Sequence, residues 1–131
     1  MHADDPALLL GLARSKFALA DYPQVITTLD RLQASHPGVK SPEGHLLYAR
    51  AKQELGEVDN AIHEYEALIK YASGPEARCR LAMLLKDRGE LARAKSIFRD
   101  VKSESEVAGR YYNSIHREWV QLAEREISSD I

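Results

Sequence analysis

The 131-residue chain is poor in several features, and each scarcity excludes a class of protein. Cys79 is its single cysteine, so no disulfide can form within the chain. The longest apolar run near the start, "ALLL", is far too short to span a bilayer, and the acidic beginning lacks the basic residues of a secretory signal. The formal net charge is only -2, so no overall charge drives binding to nucleic acid or to a membrane.

Signatures of catalysis and of metal binding are also missing. There is no Gly-rich phosphate loop and no GxSxG turn, and "HEYEA" at His63 lacks the second histidine of a zinc-protease motif. The five histidines are scattered over separate elements. We therefore expect no enzyme activity, no metal and no cofactor. Cys79 has Arg78 and Arg80 beside it, which leaves two readings open: a thiol of lowered pKa, or a small packing residue.

The chain does contain helix-capping and turn residues at regular spacings. Asp5-Pro6, Ser41-Pro42 and Gly74-Pro75 each pair an N-cap residue with a proline suited to the first helical position, and the prolines are 36 and 33 residues apart. Ala20-Asp21, Gly56-Glu57 and Gly89-Glu90 show the same two spacings. Two independent signals with the same uneven spacing indicate three homologous units.

Helical periodicity divides each unit into two helices. In the first unit Leu9, Leu12 and Ala13 lie on one face, followed by Val25, Leu29 and Leu32 in the second helix. Small residues stand where two helix backbones should approach closely: Ala13, Ala49, Ala61, Ala82 and Ala94. The pattern predicts seven helices and no strand, at about 6–18, 22–35, 42–55, 58–71, 75–88, 91–103 and 108–128.

A period near 34 with small and large apolar residues at these positions resembles the tetratricopeptide repeat (TPR) over Asp5 to Glu106. The resemblance implies an all-α fold: a right-handed superhelix of three TPR hairpins plus a C-terminal capping helix, in one domain over 1–131. The repeats would cover about 6–39, 42–74 and 75–106, and the capping helix about 108–128. Lys16, Lys52 and Val25 depart from the family pattern.

The segments "SPEGHLLYARA", "GPEAR" and "REWV" are similar to the C-terminal part of certain bacterial TPR proteins, some of which carry an upstream membrane span. This similarity suggests that the chain is a fragment of a longer protein. We expect a cytoplasmic location, with tethering to a membrane by a missing N-terminal region as the alternative. Ala7, Leu8 and Leu12 offer more apolar surface than one partner helix needs, which predicts either a homo-oligomer through the N-terminal end or a preceding repeat.

A capping helix needs one apolar face, because the last hairpin would otherwise expose its core side. The predicted stripe at the end of the chain comprises Tyr112, Ile115, Trp119, Leu122 and Ala123. We expect Trp119 to pack chiefly on the helix that contains Phe98 and Val101.

The first helices of the three units share a second face, offset from the packing stripe. We name it the first-helix face, and its predicted peptide-binding residues are Leu10, Arg14, Phe17, Leu46, Arg50, Gln53, Met83 and Lys86. Arginines at the same level of two units suit a carboxylate, and the apolar members suit hydrophobic side chains. Arg14 and Arg50 could instead pair with Glu43, Glu54 or Glu76 of the chain itself.

The sequence thus predicts a non-catalytic protein–protein interaction scaffold that binds a peptide or partner helix with acidic and apolar residues. One alternative is a nucleic-acid-binding helical repeat that uses the basic 78–102 region, which holds eight bases and three acids. The other is a purely structural segment of a larger TPR assembly.

Overall fold

A computed structural model describes residues 4–129, and within that range the chain folds into helices without a strand. The described residues form eight helices: α1 (Pro6–Ala18), α2 (Tyr22–Ser35), α3 (Pro42–Glu54), α4 (Val58–Leu68), α5 (Glu76–Asp87), α6 (Leu91–Ala108), α7 (Arg110–Ile115) and α8 (Arg117–Ser128). The predicted all-α class is confirmed. The chain forms two compact units, the first ending at Leu68 and the second beginning at Ile69.

Helix starts follow the predicted capping chemistry in the first unit. Oδ2 of Asp5 accepts the Leu8 backbone N–H at 3.2 Å, and Oγ of Ser41 accepts that of Gly44 at 3.0 Å. Proline occupies the first turn in both helices. The third start differs by one residue: Pro75 itself is the N-cap of α5, and no side chain caps that helix.

The three predicted turns share one hydrogen-bonding scheme. In the first, the Ala20 N–H donates to the Phe17 carbonyl and the Asp21 N–H donates to the Lys16 carbonyl, both at 2.9 Å. The same pair of bonds closes the turns at Gly56-Glu57 and Gly89-Glu90. This is the Schellman motif, whose central residue adopts a positive φ. The φ angles there are 58°, 80° and 84°, and Ala20 is the one residue of the three that is not glycine.

The core of the first unit lies between its two hairpins. Its buried members are Leu9, Ala13, Val25, Leu29, Leu32 and Ala51. Ala49 and Ala61 are fully buried, as expected of residues at a close helix approach. Tyr65 is also fully buried, and its hydroxyl donates to Oε1 of Gln53 at 3.0 Å, which links α4 to α3.

The second unit consists of the α5–α6 hairpin, α7 and α8. The hairpin buries the residues predicted for it: Leu81, Ala82, Leu85, Ala94, Phe98 and Val101.

The end of the chain departs from the predicted single helix over 108–128. Helix α6 continues to Ala108, and Gly109, with a φ of 90°, interrupts the helix there. A second interruption at His116 separates α7 from α8. Each break shifts the helical phase, so the predicted stripe does not form one continuous face. Ile115 is exposed, whereas Val120 and Ala123 are buried.

Trp119 is half-buried rather than a core residue. The Arg80 guanidinium of α5 lies over its ring, 4.9 Å from the ring centroid, and the Cys79 thiol donates to the Trp119 carbonyl at 3.6 Å. These two contacts join Trp119 to α5 of the third hairpin, whereas the sequence predicted α6 as its chief partner, the helix on which α8 as a whole mainly packs.

Candidate functional site

The structure places six residues of the first-helix face in the first unit and two in the second. Leu10, Arg14 and Phe17 lie on α1, while Leu46, Arg50 and Gln53 lie on α3. Met83 and Lys86 lie on α5. All but the exposed Arg14 are half-buried.

Helices α1 and α3 approach closely because α3 has a glycine at the contact. A Cβ added to Gly44 would lie 3.2 Å from Cδ1 of Leu10, closer than ordinary van der Waals contact. Gly44 is itself buried. The glycine thus brings the α1 and α3 parts of the first-helix face side by side.

Arg14 binds a carboxylate of the chain itself. Its Nε lies 2.5 Å from Oε2 of Glu43, and its Nη2 donates to Oε1 at 2.9 Å, a fork-to-fork pair between α1 and α3. Both side chains are about half exposed, at 53% and 50%. The hydrogen bond from Arg14 lowers the pKa of Glu43 below its usual range. For Arg14, the pairing with Glu43 that the sequence left open as an alternative is the observed arrangement.

Arg50 lies against an aromatic ring. Its guanidinium carbon is 4.5 Å from the centroid of the Phe17 ring, within the range of a cation–π contact. Phe17 in turn meets Tyr22 edge-on, with the ring centroids 5.4 Å apart. The aromatic pair thereby supports the Arg50 guanidinium at the surface between α1 and α3.

Lys52 contacts both a carboxylate and an aromatic ring of its own unit. Its Nζ lies 3.4 Å from Oε1 of Glu57 and 5.5 Å from the centroid of the Tyr48 ring. The Tyr48 hydroxyl donates to Asp30 of α2 at 3.0 Å, and burial is the main cause that raises its pKa to about 12. The Lys52 side chain is only 17% exposed while its ammonium reaches a carboxylate, as expected of a long stem that lies along apolar surface.

On α5, Lys86 holds the C-terminal helix. Its Nζ lies 2.8 Å from Oε1 of Glu126 on α8, and Nζ of Lys95 donates to the Ser129 carbonyl at 2.6 Å. Lys86 therefore has a structural partner within the second unit.

Cys79 is a packing residue. It is fully buried, and burial raises the pKa of its thiol to about 12 despite the opposing effect of Arg78 and Arg80. The reading in which the flanking arginines lower that pKa is therefore wrong, because desolvation of the thiolate outweighs their charge.

Most bases of the 78–102 region have acidic or carbonyl partners inside the second unit. Arg78 pairs with Glu104 and Arg80 with Glu76, while Lys102 lies 3.7 Å from Glu124. These pairs neutralise much of the excess positive charge on which the nucleic-acid hypothesis depended.

Across residues 4–129, no group of three His, Cys, Asp or Glu side chains is arranged to hold a metal ion. No helix in that range is both long enough and apolar enough to cross a membrane.

Sequence reasoning missed three exposed apolar side chains at the α6–α7 corner. Val107, Tyr111 and Ile115 are exposed by 85%, 81% and 56%. The uninterrupted helix predicted there placed Ile115 on the buried side. Gly109 was the available signal for the break.

Comparison with known proteins identifies the fold. No family model matches the sequence, and no curated protein matches it. A solved structure of the type III secretion translocator chaperone SycD from Yersinia enterocolitica, in an alternative dimer, is similar with a TM-score of 0.74. The alignment covers 95% of this chain and 93% of that chain at 20% sequence identity. This likeness shows a shared all-helical fold.

Proposed function

We propose that the protein is a non-catalytic interaction scaffold whose first-helix face binds a peptide or partner helix with acidic and apolar side chains. The observation that carries the proposal is the fork-to-fork pair of Arg14 with Glu43 beside the Arg50–Phe17 contact. The chain already holds a carboxylate on this surface, and an apolar ring lies next to it. A partner that offers a carboxylate beside an apolar side chain matches that chemistry.

The partner's carboxylate competes with Glu43. Because the Arg14–Glu43 pair is about half exposed, water screens it, and its exchange for an incoming carboxylate costs little. The half-buried Leu10 and Leu46 provide apolar contact on the same two helices. Met83 and Lys86 of α5 are included in the proposed peptide-binding set, with the Lys86 ammonium shared with Glu126.

The repeat assignment supports this class of function. We propose that the hairpins α1–α2, α3–α4 and α5–α6 are TPR units over about 6–39, 42–74 and 75–106 of a single domain. Their three identical turns, spaced 36 and 33 residues apart, support a repeated origin. Helical repeat arrays bind peptides over extended surfaces. The similar solved structure is that of a type III secretion translocator chaperone.

The exposed face at the start of α1 belongs to the same proposal. Leu8 and Leu12 are 44% and 43% exposed. The residues 36 positions later, Gly44 and Tyr48, are covered within the first unit by α1 and α2. We infer that a preceding repeat or a second copy covers Leu8 and Leu12 in the same way. A cytoplasmic location in a bacterium completes the proposal.

The test is a titration of fluorescein-labelled short peptides that combine Glu with Leu or Phe, followed by fluorescence polarisation. The control peptides carry Gln in place of Glu. The Arg14→Glu, Arg50→Glu double variant should weaken binding of the acidic peptides by well over tenfold, because charged hydrogen bonds are lost and repulsion replaces them. The Lys16→Glu, Lys52→Glu double variant is the matched control and should change affinity little.

Glu43→Gln should have the opposite effect on affinity for the acidic peptides. Removing the internal competitor should tighten binding of the acidic peptides by up to about fivefold, the equivalent of an exposed ion pair. Equal binding of acidic and Gln peptides, or a larger loss in the Lys16/Lys52 variant, would show that this face is not the binding surface.

A further inference from the structure

The second unit has a surface that the proposed function does not use. Helix α6 runs to Ala108, and α7 leaves it at a fixed corner: Nδ2 of Asn113 donates to the carbonyls of Ser105 and Gly109, both at 2.8 Å. Val107, Tyr111 and Ile115 protrude from this corner and are more than half exposed. We name these three residues the corner stripe. Three large apolar side chains that are exposed so near one another in the chain, on a braced element, mark a candidate protein–protein interface.

Beside the corner stripe lies an open groove of about 780 Å³. Its charged lining residues are Glu106, Arg110, Arg117 and Glu124, two of each sign. Glu106 and Arg110 stand four residues apart, a spacing that forms ion pairs on a continuous helix, but the positive φ of Gly109 ends α6 between them.

Three of the four groove charges have no ion-pair partner among residues 4–129. Glu106, Arg110 and Arg117 are all exposed, and only Glu124 has a partner, Lys102 at 3.7 Å. Elsewhere in the same unit, opposite charges pair across helices, as Lys86 does with Glu126 at 2.8 Å. The groove thus presents equal numbers of positive and negative groups beside an apolar stripe.

We propose that this surface binds a second copy of the same chain about a two-fold axis. In such a contact each surface meets its own copy, so every charge needs an opposite charge on the same patch, and equal numbers of both signs meet that requirement. A purely acidic or basic partner would leave half of these charges opposed to a like charge. The two corner stripes would form the apolar centre of the interface, and the groove charges would form its polar rim.

Charge reversal with complementation tests the proposal. The acidic variant is Arg110→Glu with Arg117→Glu, and the basic variant is Glu106→Arg with Glu124→Arg. Each alone should have a dimer dissociation constant at least about tenfold higher than the wild-type chain, because every groove charge then meets a like charge. An equimolar mixture of the two variants should dimerise again. The measurement is sedimentation equilibrium over a concentration series.

A second pair of variants tests the apolar centre and separates this surface from the α1 face. Val107→Ser with Tyr111→Ser should abolish the dimer and leave the melting curve of dilute protein unchanged, because both side chains are exposed. Leu8→Glu with Leu12→Glu should leave dimerisation through the corner stripe intact. A wild-type chain that stays monomeric at millimolar concentration overturns the proposal. A dimer lost only in the Leu8/Leu12 variant, or a mixture of charge variants that stays monomeric, overturns it equally.

Discussion

The turn after α1 offers a sharp test of the shared Schellman geometry. Ala20 occupies the positive-φ position that glycine occupies in the two later turns, with a φ of 58°. A left-handed conformation costs a residue with a Cβ about 1–2 kcal/mol, and glycine avoids that cost. We therefore predict that Ala20→Gly stabilises the protein.

The magnitude follows from two opposing effects. Relief of about 1–2 kcal/mol is offset by the greater entropy of glycine in the unfolded chain, about 0.4–1 kcal/mol. Ala20 is exposed, so its methyl group contributes little packing. The net gain should be about 0.5–1 kcal/mol, a rise of a few degrees in melting temperature for a chain of this size.

Gly56→Ala and Gly89→Ala are the matched controls. A Cβ added at either position has no heavy atom within 4 Å, so any effect arises from the backbone conformation and not from a clash. Both variants should be destabilised by about 0.5–1 kcal/mol, which urea titration followed by circular dichroism at 222 nm would measure. If Ala20→Gly is neutral or destabilising while both controls lose stability, the strain assigned to Ala20 is wrong.

Three further predictions concern buried and half-buried side chains. Trp119→Ala should lower the free energy of unfolding by about 2–3 kcal/mol, less than the 3–5 kcal/mol typical of a core tryptophan. A double-mutant cycle with Arg80→Ala should give a coupling energy of about 0.5–2 kcal/mol. A coupling energy near zero would refute the cation–π contact. Tyr65→Phe should cost about 1 kcal/mol in urea titration, because Oε1 of Gln53 loses its donor, whereas an unchanged midpoint would contradict that bond. The Cys79 thiol should react with a disulfide reagent at pH 8 only after unfolding. Because its pKa rises from 9.0 to about 12 on folding, the stability it contributes is complete below about pH 9 and is lost as the pH rises through 12, which alkaline melting curves would show.

Local patterns predicted the helix boundaries well because they depend on neighbouring residues. The cap at Asp5, the proline after it and the turn at Ala20-Asp21 act within a few residues of the chain. The predicted bounds of the first six helices agree with the structure within a few residues at nearly every end, and α6 is the exception, with five more residues than predicted. It extends because nothing between 103 and 108 breaks a helix before Gly109.

The partners of the predicted site residues could not be read in the same way. Glu43 is 29 residues from Arg14, and Phe17 is 33 residues from Arg50, so both contacts depend on how α1 and α3 are rotated and how closely they approach. Gly44 controls that approach, yet in the sequence it is only a glycine in the first turn of a helix. Helical periodicity predicted the residues of the first-helix face, but it could not predict which of their charges pair with other residues of the chain.

The sequence by itself determined the all-α class, the three hairpins, the positions of their turns and the alanines at the helix contacts, because capping, backbone conformation and periodicity are local properties. Only the tertiary structure decided that Arg14 holds Glu43, that burial outweighs two arginines at Cys79, and that the last segment breaks at His116. Desolvation and ion pairing depend on atoms brought together from distant parts of the chain, and their balance exists only once the helices have packed.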